Sequence, residues 1–163
     1  MIKVVLDANC FIDAVNTSSH AHPSLQMVFF AAKSGRITLA ISRHTLAEVS
    51  HPAAACELAK TVEVIPHWPI GAIKQQVAAV RQLAGTWQEA KRNEQIQEEL
   101  EQLAKSGNDI RDRGAYLDAL LTRADAFVTS DRHLVGSGPA RRIQAKFDLR
   151  VLTPSELVSE VGL

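Results

Sequence analysis

Cysteine is scarce in this chain, with two among 163 residues, Cys10 and Cys56. Two isolated thiols make neither a disulfide framework nor a metal-binding Cys pair, so both are expected to pack as small apolar residues. No apolar run reaches the roughly 18 residues of a membrane-spanning helix, and no membrane association is expected. Charge of neither sign dominates: 18 Lys and Arg against 18 Asp and Glu leave a formal net charge of zero. That balance argues against a protein that coats nucleic acid by bulk electrostatics, but leaves room for a local basic patch. No basic-then-apolar leader precedes the first strand pattern, so the expected location is the cytoplasm. Internal repeats, low-complexity tracts and a His-Glu-x-x-His metal motif are also missing.

What is present suits a soluble globular protein. The length and the 46% apolar and 22% charged content fit one domain over residues 1–163 with a sizeable core. Ile2–Leu6, Ile37–Ile41, Val62–Ile65, Ala126–Thr129 and Leu149–Leu152 read as strands. Between them, helical spacing predicts a short helix near Phe11–Val15, a helix carrying Leu25, Val28, Phe29 and Ala32, and another with Leu46, Glu48 and Val49 that Ser42 caps. Further helices are expected over Ala53–Ala59, around Ile73–Leu83, within Trp87–Lys105 and from Asp112 onward. Gly136–Pro139 reads as a loop, and Thr153-Pro154-Ser155-Glu156 as the capped start of a closing helix. Strands alternating with helices imply an α/β fold, a three-layer α/β/α sandwich with a mainly parallel central sheet.

Two of the apolar runs end in an aspartate, Ile2–Leu6 in Asp7 and Ala126–Ser130 in Asp131. Residues just past the carboxyl ends of parallel strands line the ligand crevice. Glu48 follows the second strand by about two helical turns, and Asp112 opens the helix that feeds the Asp131 strand, so all four acids can meet at one sheet edge. Gathered carboxylates repel and favour protonation unless a cation joins them. Mg²⁺ or Mn²⁺ suits such an all-oxygen set and supports phosphodiester hydrolysis. Taken singly, each acid also has an ordinary reading: Asp112 as a partner of the helix dipole, Glu48 as a solvated helix residue.

The order and spacing of Val4-Val5-Leu6-Asp7-Ala8-Asn9, Glu48, Asp112 through Thr129-Ser130-Asp131, and Arg150–Glu156 resemble the PIN domain over nearly the whole chain. The resemblance implies an α/β sandwich that binds Mg²⁺ or Mn²⁺ and cleaves RNA. It matches Asp7, Glu48, Asp112 and Asp131 to the family's catalytic, metal-binding acidic tetrad, and Asn9 and Thr129 to polar positions beside it. It also implies similarity to VapC-type toxins, hence a homodimer with an antitoxin protein as partner.

After Asp131 the charge turns basic: Arg132, Arg141, Arg142, Lys146 and Arg150 against Asp148 alone. These are candidate RNA-phosphate contacts, Arg132 first. His44 and Glu48 share a helix face, and ordinary surface histidines are the expectation. A phosphatase of the haloacid dehalogenase type would need an acid at Asn9, and a receiver domain would need an acidic pair near the first strand. The rival from another class is a non-catalytic PIN-like module that binds RNA or protein.

Overall fold

Five short runs carrying Val, Ile, Leu and Phe pair side by side in the computed structural model, which describes residues 1–67, 88, 91, 92, 94–96, 98 and 107–163. Strand β1 (Ile2–Leu6) lies at the centre, hydrogen-bonded to β2 (Ile37–Ser42) on one side and β4 (Ala126–Val128) on the other. Strands β3 (Glu63–Ile65) and β5 (Arg150–Leu152) form the two edges. The order is β3-β2-β1-β4-β5 and every pairing is parallel, as expected of an α/β chain whose strands are joined through helices.

Alternation along the strands divides the core. Val4 and Leu6 face one layer, packed with helices α1 (Ala8–Val15), α2 (His22–Lys33), α4 (Ala53–Ala59) and α8 (Pro154–Val161). Val5 faces the other, with α5 (Gly107–Leu121) and α7 (Gly138–Phe147). Of two shorter helices, α3 (Arg43–Glu48) begins directly at the end of β2, and α6 (Arg132–Val135) follows β4 after three intervening residues. Among the described residues, Phe11 and Phe127 are the bulkiest fully buried side chains, one in each layer. Burying such a side chain contributes about 1.5–3 kcal/mol.

Local signals set most element starts. The Ser42 hydroxyl accepts from the Thr45 amide and caps α3. Thr153 and Glu156 form a reciprocal capping box at α8. Two expectations are corrected. Gly136–Pro139 is not a continuous loop, because α7 begins at Gly138 with Ser137 as its cap and proline in its first turn, where the missing N–H costs nothing. The helix expected from Asp112 onward starts earlier: α5 already runs from Gly107, so Asp112 lies inside it.

The helix expected around 73–83, Trp68 and Trp87 fall outside the described residues. Between 88 and 98 the described residues are helical, and Ile96 is buried in the second core layer. Cys10 is buried, its thiol pushed well above its ordinary pKa by desolvation and the nearby Asp7 charge, while Cys56 is half-buried. Among the described residues, no helix is long and apolar enough to cross a membrane.

Candidate active site

Strand order reverses at β1: the chain lays β2 and β3 to one side, then β4 and β5 to the other. At such a switch point the connections leave in opposite directions and open a crevice beyond the strands' carboxyl ends. Asp7 stands at the mouth of that crevice. Its amide donates to the Val128 carbonyl at 2.9 Å, extending the β1–β4 ladder by one residue, and its carboxylate begins α1 by accepting from the Ala8 amide at 2.8 Å.

The second oxygen of Asp7 accepts from the Thr129 hydroxyl at 2.8 Å, and the same hydroxyl oxygen accepts from the Asp131 amide at 3.1 Å. Thr129 is fully buried. Its hydroxyl thus locks the loop after β4 to Asp7. Asp131 is exposed and caps α6, accepting from the His133 amide at 2.9 Å. Asn9 is exposed on the first turn of α1, beside Asp7 in sequence.

Burial raises the Asp7 carboxyl above its ordinary pKa. The Thr129 and Ala8 hydrogen bonds oppose that rise, and the charges of Glu48 and Asp131 add to it. Asp7, Glu48 and Asp131 therefore share one electrostatic neighbourhood. Asp112 lies on α5, with its side chain outside the described residues. Among the described residues, no three of His, Cys, Asp and Glu gather closely enough to hold a metal ion. The donor chemistry still suits a hard divalent cation: the acids are oxygen donors only, and the half-buried one is strained in its charged form.

Next to the Asp131 loop lies an open cleft of about 420 Å³. Asp13 from α1 and Asn16 just after it, His20 and Ser24 from the following turn and helix, and Ser130 and Arg132 on either side of Asp131 line it. Of the basic residues after Asp131, Arg132 alone lines this cleft. Arg150 is instead paired with Glu160 at 2.6 Å.

A further group was not legible as a unit. Asp118, on α5, is a fully buried carboxylate 3.0 Å from His67 Nδ1. The His67 ring stacks on His44 with centroids 4.8 Å apart, and His44 Nε2 lies 3.6 Å from Glu48. The four-residue spacing of His44 and Glu48 was readable, but His67 and Asp118 are 51 residues apart and carry no local signal. These histidines are therefore not the scattered surface residues expected. No protein-family model matches the chain, and no curated protein matches it either.

Proposed function

We propose that this chain is a PIN-like, metal-dependent endoribonuclease. The observation that carries the reading is Asp7 at the switch point, tied through Thr129 to the Asp131 loop and sharing its electrostatic neighbourhood with Glu48 and Asp131. In this reading Asp7 and Asp112, the latter carried over from the sequence resemblance, would hold Mg²⁺ or Mn²⁺, and Glu48 and Asp131 would complete the site directly or through water. When bound, such an ion supplies Lewis acidity and lowers the pKa of a water at neutral pH.

The protein's own contribution is placement. Thr129 fixes the Asp7 carboxylate and the start of the Asp131 loop at once, so the two acids cannot drift independently. Arg132 faces the adjoining cleft, where a guanidinium can pair with a phosphate of the strand. Asn9 and the serine hydroxyls offer neutral hydrogen bonds to sugar and base. The neutral overall charge fits a local grip of this kind better than wholesale electrostatic binding.

Purified protein incubated with mixed RNAs and Mg²⁺ or Mn²⁺ tests the reading. Cleavage by the wild type, abolished by chelator and by Asp7→Asn, is expected. Equal cleavage by both proteins would identify a contaminant and sink the assignment, and RNA binding without cleavage would favour the non-catalytic module. The resemblance to toxins has its own test, since induced expression should arrest growth and a small antitoxin should co-purify. Unaffected growth would remove the toxin role and leave the nuclease reading standing.

A further inference from the structure

Helix α5 presents Gly114 and Asp118, one turn apart and so on one face, toward the histidine pair. Asp118 is fully buried, and a buried carboxylate persists only where hydrogen bonds meet it. His67 Nδ1 lies 3.0 Å from its Oδ2, a contact that fixes the ring plane. A side chain begun at Gly114 would have its Cβ 3.7 Å from His67 Cε1 and 3.8 Å from His44 Cδ2. The bare helix backbone there walls in both rings, which stack at 4.8 Å with 24° between their planes. His44 and Glu48 then face each other one turn apart on α3, Nε2 to Oε1 at 3.6 Å.

We infer that Asp118, His67 and His44 form a positioning array behind Glu48 that sets the orientation of this carboxylate at the candidate site. The inference rests on reading Glu48 as one of the site's acids. Glu48 is half exposed at the end of a short helix, and an exposed pair four residues apart orders a side chain only weakly. The array changes that, because His44 cannot swing without breaking its stack on a ring anchored in the interior. A relay of contacts thereby links α5 and the segment after β3, through His67 and His44, to a carboxylate on α3. Partners of this kind behind a metal ligand typically alter metal affinity by about 10–100-fold.

Mn²⁺ binding to the full chain, followed by electron paramagnetic resonance of the free ion, tests this together with the metal-free thermal midpoint. His44→Phe keeps a stacked ring and removes Nε2. It should weaken Mn²⁺ binding by about 10–100-fold with little change in the metal-free midpoint. Asp118→Asn retains an oxygen acceptor for His67 and should recover most of the affinity that Asp118→Leu loses. Wild-type affinity in His44→Phe would overturn the inference, even if Asp118→Leu lowers the midpoint, because the array would then only pack helices. A wild type that binds no Mn²⁺ would overturn the carboxylate site itself, and the positioning role with it. The two failures are distinguished by whether the unmutated protein binds the ion.

Discussion

Asp7 bears a charge that burial and two neighbouring acids oppose, and that opposition has a pH signature. Its folded pKa lies above the ordinary 3.8, so the native state binds this proton more tightly than the unfolded chain does. The resulting stabilisation is full below the unfolded value and is lost as pH rises through the raised folded value. Asp7→Asn, which can still accept from Thr129, should therefore raise the thermal midpoint near neutral pH by about 2–4 °C for each kcal/mol recovered. Below the carboxylate range the two proteins should melt alike; an equal difference at both pH values would argue against a charge-based cost. Arg132 makes a different kind of contribution. Arg132→Gln should raise KM for RNA with kcat nearly unchanged, and lower the salt dependence of binding by about one phosphate contact. A fall in kcat alone would place Arg132 at the reacting phosphate instead.

At the scale of elements, local chemistry explains where helices begin. Thr153 and Glu156 satisfy each other's backbone at the start of α8, whose Leu157 is buried under the sheet. Thr153→Ala should cost about 1 kcal/mol, read as a lower urea midpoint with unchanged slope. The cap was readable because its partners are three residues apart. Helix α7 was not, because Gly138 and Pro139 look like loop residues unless Ser137 is recognised as a cap and Ala140 and Ile143 as its inward face. The start of α5 misled for a related reason. Gly107 and Asn108 are poor helix formers, and fifteen helical residues packed through Leu117 and Leu120 outweigh two weak propensities.

For the whole molecule, two core layers clamp a short sheet, and the candidate site lies at its carboxyl edge. Phe11, buried and packed edge-on against Phe29 at 5.8 Å, lies within the helix that Asp7 begins. Phe11→Ala should destabilise by about 3–5 kcal/mol and loosen the crevice. Its signature would be a large drop in midpoint accompanied by weaker Mn²⁺ binding. Because an ion that binds only the folded state stabilises it, Mn²⁺ at about one hundred times its Kd should add about 2.7 kcal/mol to the wild type. Asp7→Asn should lose most of that gain, and equal shifts in both proteins would point to binding elsewhere.

Sequence alone determined the alternation of strands and helices, the caps at Ser42 and Thr153, and the two acids just beyond strands, because each depends on residues close together along the chain. It also pointed to a mainly parallel sheet, since helical connections leave little alternative. Tertiary structure decided which strand is central and therefore where the crevice opens. It made Thr129 the link between Asp7 and the Asp131 loop, across 122 residues. It drew Arg150 away to Glu160 and left Arg132 at the cleft. It also joined Asp118, His67 and His44 behind Glu48. The physical reason is common to all four: strand pairing and helix packing set contacts between residues far apart in sequence, and hydrophobic periodicity specifies which face is buried, not which partner it meets.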